Sequence, residues 1–336
     1  MDLPGEKLII RMWETLSEKG IGAIFRPSQT RREGIANIEV RRAEMLVLAQ
    51  AEHEVKEIQS GNKSLADFSL KIEFAGKNNR SDVVSRVEPT LDFEFLVNDS
   101  NKRKAADSLR KEINVVKAII HAEEFVLNDS QEPPKEKVDE DWLFRWRDYA
   151  GDVSSNDMQG LWGRLLAGEV KAPGKYSLRC LEFLRNLSQS EAKLIERLSC
   201  LLVEGLVWKG DRTNELLSFD ELLELENLGV LSGVSTGGLQ NNTSLQKSND
   251  RWVRIIRASK KCLIVRHVDK NEKISLLGYR ATKLGEQIIS VGRLSDDVKY
   301  LNEMGRFLIS KGFSVLLGDY VESGDATNFS NATQIV

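Results

Sequence analysis

Residue types that could do chemistry crowd most densely between Met158 and Leu184, in the run MQGLWGRLLAGEVKAPGKYSLRCLEFL. A loop that cradles phosphate with backbone N–H groups needs Gly-x-x-x-x-Gly-Lys followed by Ser or Thr, whose hydroxyl holds magnesium. Here five residues separate Gly168 from Gly174, and Lys175 is followed by Tyr176. Glu169-Val170-Lys171 has the form of the Glu-x-Lys half of a nuclease centre, in which carboxylates bind magnesium and the lysine polarises the scissile phosphate. That half belongs on a strand beside an earlier acid. Here the spacing of Met158, Leu161, Trp162, Leu165 and Leu166 puts the triplet at the end of a helix. The run therefore reads as a corner between two helices: Gly168, Pro173 and Gly174 serve the turn, Ser177 caps the second helix, and Glu169 is placed to tie the corner down.

Other constellations fail in the same way. His53, His121 and His267 show no metal-ligand spacing, and His121 lacks a second histidine four residues away. Asp139-Glu140-Asp141 precedes a helix, where negative charge complements the helix dipole. Trp142, Trp146 and Trp162 recur at helical spacing and read as core anchors. No catalytic residue, metal ligand or cofactor is expected from these patterns.

The strongest signal that is not structural is charge. From Arg251 to Lys283 there are ten basic residues against two acids. Arg251, Arg254, Arg257, Lys260, Lys261 and Arg266 are candidate contacts to nucleic-acid phosphates, on what reads as a basic β-hairpin. The helix that would enter a major groove instead carries Asp220, Glu221, Glu224 and Glu226, which phosphates would repel. Backbone contact by the hairpin is the form of nucleic-acid binding left open.

Composition sets the bounds. In 336 residues, 48 Lys and Arg stand against 51 Asp and Glu, so any basic surface is local. Three cysteines, Cys180, Cys200 and Cys262, fit neither a disulfide framework nor a zinc ribbon. No apolar window reaches the roughly 18 residues of a membrane span. The first residues, MDLPGEKLIIRMWETLSEKG, lack the form of a signal peptide. A cytoplasmic location is expected. The polar face of the first helix is charge-balanced, which favours packing on another helix over a membrane surface.

Around the corner, the rest of the chain divides into helices, turns and strands. Leu8, Ile9, Met12, Trp13 and Leu16 lie on one helical face, broken by Gly20 and Gly22. Residues 28–58 read as a long solvated helix with coiled-coil character. Residues 60–100 read as a turn-rich insert. Helix is expected again from 101 to 127, with Leu109, Ile113, Val116 and Ile120 as its seam, and Pro133–Pro134 closes a polar connector. The tryptophan helices come next, with Ser154 or Ser155 and then Ser177 as caps. Capping boxes are expected at Ser188/Glu191 and Ser218/Glu221. Gly229 ends a helix, residues 233–250 form a polar loop, two strand segments come after it, and Thr282 caps a helix. A helix at 295–311 and an apolar strand, FSVLLGDYV, come last.

Three blocks together carry a family resemblance: GIGAIFRPSQTRREGIANIEVRRAEMLVLAQAE, EINVVKAIIHAEE, and the long block from Asp139 to Ile195. In the third, Trp142, Gln159, Leu161, Trp162, Gly168, Glu169, Pro173, Gly174 and Ser177 stand in a distinctive order. The chain resembles the bacterial family catalogued as domain of unknown function 2806, over most of its length. A looser form of the Leu-Trp-x-x-Leu-Leu-Ala pattern is similar to proteins related to the abortive-infection alpha family, which implies a role in phage defence. The resemblance supplies no catalytic residues.

The expected fold is mainly α. Its parts are an N-terminal helical region (1–60), a variable insert (61–100), a central helical bundle (101–187), a winged-helix-like α+β domain (188–322) and a disordered tail (323–336). The expected function is that of a non-enzymatic interaction or sensor protein with a protein partner or a second copy of itself. The alternative is a nucleic-acid-binding regulator that uses the basic hairpin. A metal-dependent nuclease or hydrolase is least favoured.

Overall fold

The computed structural model describes residues 4–21, 53–58, 60, 62, 93–248, 251–292, 295–323 and 326–335. The chain divides into two compact units, 1–176 and 177–336.

The first unit is helical. α1 (Glu6–Glu18) buries the five residues whose spacing marked its face, and Gly20 leaves it at φ +68°. α2 (Phe93–Val126) is the long element against which the others pack. It starts eight residues before the expected helix, inside the stretch read as an insert, because neither Gly nor Pro interrupts the chain between Pro89 and Val126. Ile113, Val116 and Ile120 pack with Val55 and Ile58 of the short helical stretch 53–58. The remainder of the expected coiled-coil region, 28–52, lies outside the described residues.

α3 (Glu140–Asp152) is capped by Asp139, whose carboxylate accepts from the Trp142 N–H at 2.9 Å. α4 (Asn156–Lys171) is capped by Ser155 rather than Ser154. α3 and α4 bury Trp142, Trp146 and Trp162, and Trp146 Nε1–H donates to the Trp162 carbonyl at 2.9 Å. α4 lies so close to α2 that a Cβ on Gly163 would sit 2.7 Å from His121 Cβ and 2.8 Å from the Ala118 carbonyl oxygen.

The second unit is where the mainly α expectation is corrected, because two antiparallel sheets make the protein mixed α+β. α5 (Leu178–Asn186) and α6 (Gln189–Ser199) begin at Ser177 and Ser188, the latter with a complete capping box. β1 (Leu202–Val203) and β2 (Leu206–Trp208) turn tightly at Glu204–Gly205. α7 (Asp211–Leu216) and α8 (Phe219–Asn227) come next, α8 with its capping box at Ser218 and Glu221. Then come β3 (Leu231–Ser232), β4 (Leu239–Ser244), β5 (Gln246–Ser248), β6 (Arg251–Arg257), β7 (Lys261–His267) and β8 (Lys273–Ala281). α9 (Lys283–Val291), α10 (Val298–Ser310), β9 (Ser314–Ser323) and β10 (Ala326–Gln334) complete the chain. In the first sheet β8 is paired with β2 on one side and with β3 and β4 on the other. The second sheet runs β10-β9-β7-β6-β5.

Three features differ from expectation. The polar loop at 233–250 contains β4 and β5. β4 is a sheet edge held by backbone pairing, so it shows no apolar alternation. The strands of the expected basic hairpin also part company. β7 buries four consecutive residues, Cys262 to Val265, as an inner strand of the second sheet, whereas β8 alternates buried and exposed residues in the first. Lastly, the stretch expected as a disordered tail forms β10 and ends on Ile335, which is buried against Gly305.

Candidate anion-binding cleft

The Glu169 corner is a piece of architecture in its geometry. Glu169 is 1% exposed and accepts from the N–H groups of Gly174 (2.6 Å) and Tyr176 (3.0 Å). Burial outweighs these two bonds and raises the carboxyl's pKa above its ordinary value. Gly174 takes φ +83°, open to glycine at little cost. A Cβ on Gly168 would lie 2.7 Å from the Tyr176 ring. Tyr176, the residue that spoils the phosphate-loop pattern, is therefore the side chain the corner closes over. Gln159 is buried beside α2, where its Nε2 donates to Asn114 Oδ1 at 3.2 Å, and Asn114 Nδ2 donates to the Gly151 carbonyl at 2.8 Å. Ser177 caps α5 through the Cys180 N–H and donates its own hydroxyl hydrogen to Gln287 Oε1 at 2.8 Å.

The six basic candidates do not form one patch. Strand register places Arg254 opposite Val265 and Val253 opposite Arg266, so Arg254 and Arg266 project from opposite faces of the second sheet. Arg251 and Arg257 share parity with Val253 and so fall on the Arg266 face, Arg257 at the strand's end, where its Nε reaches Glu204. Lys261 Nζ is paired with Asp319 at 2.8 Å. The backbone N–H groups of Ser259, Lys260 and Lys261 all donate to the Asp296 carboxylate, at 2.7 to 2.8 Å, which clasps the β6–β7 turn.

Arg254 and Arg257 meet instead in a cleft between the two sheets. Arg280 from β8, Asn241 and Thr243 from β4, and Glu204 and Gly205 from the β1–β2 turn complete it, and its volume is about 580 Å³. Pairing explains the convergence: Thr243 is opposite Ile274 and Asn241 opposite Leu276, on the same face of β8 as Arg280. Glu204 accepts from Arg254 Nη2 at 2.6 Å and from Arg257 Nε at 3.3 Å. Its own N–H donates to the Arg257 carbonyl at 3.1 Å. The Nε of Arg254 is sheltered from solvent and has no acceptor among the described residues. Among the described residues, no carboxylate pairs with Arg280. Guanidinium groups present several donors in a fixed plane, suited to carboxylate and phosphate oxygens.

Sequence reasoning singled out Arg254 and Arg257, counted Arg280 only within the basic run, and passed over Glu204. The available signal was the Glu-Gly pair between two short apolar runs, which marks a tight hairpin turn.

The acids of α8 have local tasks. Glu221 accepts from the Ser218 N–H and pairs with Arg197, which lowers its pKa. Glu226 accepts from the N–H groups of Val234 and Ser235, both at 2.8 Å, and its pKa is also lowered. His121 lies between Glu124 and Asn156, and the His267 ring accepts from the Asp269 N–H. Among the described residues no group of three or more His, Cys, Asp or Glu gathers as metal ligands, and no helix is long and apolar enough to cross a membrane.

Residues 99–207 match the model of a family described as Protein of unknown function (DUF2806). The matched stretch runs from α2 into β2. It contains the tryptophan helices, the Glu169 corner and Glu204, and it omits both the N-terminal block and the three arginines of the cleft. No curated protein matches the chain, and no solved structure does.

Proposed function

We propose that this protein acts by binding rather than by turnover, and that its second unit is a winged-helix-like module that takes an anionic ligand in the arginine cleft. One observation carries the proposal: Arg254, Arg257 and Arg280 line a single cavity with one carboxylate, Glu204. The scaffold supports it. α6, β2, α7, α8, β3 with β4, and β8 take the helix–strand–helix–helix–strand–strand order of such modules, with the last strand between the other two. The long connection between β4 and β8, where a wing would be, carries β5, β6 and β7 and so brings two arginines over the first sheet. Groove reading by α8 is disfavoured by the acids on that helix.

Titration calorimetry of the full chain at low salt, with inorganic phosphate and with a tricarboxylate such as citrate, tests the proposal. Saturable binding that weakens at least about tenfold in an Arg254→Ala/Arg257→Ala protein is the expected result. Absence of binding, or binding indifferent to that change, removes the proposal.

A second reading rests on the other face of the second sheet. Arg251 and Arg266 share it, and neither has a carboxylate partner among the described residues. They suit the sugar–phosphate backbone of nucleic acid. Duplex and single-stranded DNA binding should then fall with salt and fall further in Arg251→Ala/Arg266→Ala. Self-association through residues 28–58 is a separate proposal, tested by sedimentation of the full chain against one beginning at residue 60. A defence role rests on the looser resemblance alone. It predicts that strains with and without the gene differ in sensitivity across a broad phage panel.

A further inference from the structure

We infer that the ligand of the arginine cleft is a phosphate monoester dianion, and that Glu204 is the resident carboxylate this phosphate displaces. The inference deepens the proposal of an anion-binding cleft and rests on it.

Charge comes first. Three guanidinium groups and the Glu204 carboxylate line the cleft, with Glu286 Oε1 lying against Gly205 and the Asp296 carboxylate against the Ser259 N–H. A phosphate monoester carries about −1.5 to −2 near neutral pH and offers three acceptor oxygens. Donor geometry agrees. The sheltered Arg254 Nε lacks an acceptor, and Arg280 lacks a carboxylate among the described residues. Glu204 has only two oxygens, and they are directed to Arg254 Nη2 and to the Nε and N–H of Arg257.

Size comes second. A volume of about 580 Å³ falls within the roughly 300–1,000 Å³ range of small-ligand sites and exceeds what a bare phosphate fills. Leu202 and Ile289 supply apolar wall, and Asn241 and Thr243 polar groups, for an organic ester. A mononucleotide and the 5′-phosphorylated end of a strand share this chemistry.

The resident carboxylate is held under tension. Glu204 takes φ +48°, the left-handed region that side chains with a Cβ disfavour, and Gly205 follows at φ +75°. Its two ion pairs offset that cost. A dianion that takes over the arginines leaves Glu204 without partners, so the β1–β2 turn would respond to ligand.

The experiment uses the full chain at low salt. Its probes are AMP, adenosine, inorganic phosphate, citrate, and a short oligonucleotide with either a 5′-phosphate or a 5′-hydroxyl. AMP or the phosphorylated strand should bind, whichever is tighter naming the source, and adenosine and the 5′-hydroxyl strand should not. Arg280→Ala, which removes no ion pair seen among the described residues, should weaken binding at least about tenfold. Glu204→Gln should tighten it at least about threefold by removing the competitor. Circular dichroism melts establish that both variants fold, and Glu204→Gly, which suits the turn, repeats the second measurement should the glutamine variant fold poorly. Phosphate monoesters that bind no better than their dephosphorylated partners, while citrate binding depends on Arg254 and Arg257, overturn the ligand class and leave the cleft standing. Phosphate binding that Glu204→Gln and Glu204→Gly both leave unchanged or weaken overturns the displacement. No anion binding at all removes the cleft as well.

Discussion

Glu169 and Glu204 each hold a tight turn, yet with opposite chemistry. Glu169 is buried and accepts from backbone N–H groups of its own corner, five and seven residues away. Glu204 lies in a cleft and holds arginines from a strand fifty residues further on. A carboxylate spent on local backbone donors fixes a shape, because nothing arriving from solvent can replace it there. A carboxylate that pairs with two of three guanidinium groups in a cleft can be exchanged for a better anion. Burial and partner type thus separate a structural acid from a functional one more cleanly than motif resemblance, which drew attention to Glu169.

The largest effect should come from breaking the buried side of this contrast. Trp146 is fully buried and donates to the Trp162 carbonyl. Trp146→Ala should cost about 3–5 kcal/mol, the range for large aromatic truncations in cores. Urea unfolding would register this as a lower midpoint. Affinity for anions, measured on the folded fraction, should not change, and a selective loss there would mean that the first unit serves the cleft directly.

Next is the corner itself. Glu169→Ala strands two N–H groups, that of exposed Gly174 and that of buried Tyr176, for a loss of about 2–3 kcal/mol, and Glu169→Gln should lose less because one acceptor survives. The pH dependence has a definite sign. The folded pKa is raised, so the folded state holds more protons than the unfolded chain just above the ordinary carboxylate value. Stability contributed by this residue therefore declines as pH rises from about 4.5 through the raised pKa, and levels off above it. Thermal melts of wild type minus Glu169→Ala across that window should show the decline. A difference that grows with pH would mean the two N–H bonds outweigh burial.

Between these and the cleft stands the Asp296 clasp. Asp296→Ala frees three N–H groups in a partly exposed turn and should cost about 1–2 kcal/mol. Hydrogen exchange should quicken at Ser259, Lys260 and Lys261, while α3 and α4 remain protected.

What the sequence made legible divides along the same line. The caps at Ser155, Ser177, Ser188, Ser218 and Thr282, and the corner glycine Gly174, act within a few residues and leave a local signature. The α2 start was misplaced because polar residues 98–104 suit a loop by composition while containing nothing that stops a helix. β4, β5 and β10 were missed because edge strands are held by backbone pairing with a neighbour elsewhere in the chain. The cleft was half legible. Its arginines stood out as charge, but their convergence depends on β6 and β8 belonging to different sheets, and no local pattern encodes that. Glu204 depends on the same long-range pairing.

The smallest effect is the most discriminating. Glu204→Gln keeps the left-handed backbone cost and removes the charge from two ion pairs, each worth about 0.2–1 kcal/mol at a partly exposed site. A modest destabilisation should result, and it should shrink as salt rises. Glu204→Gly loses the same pairs but relieves about 1 kcal/mol of backbone strain at φ +48°, so it should be close to wild type. Gly above Gln at position 204, against Gln above Ala at position 169, is the order expected if one turn is set by charge and the other by burial. Guanidinium chloride would mask the salt dependence, so urea unfolding at low and high sodium chloride is the appropriate measurement. Were Glu204→Gly well below wild type, the arginine pairs would outweigh the turn strain, and Glu204 would be as structural as Glu169.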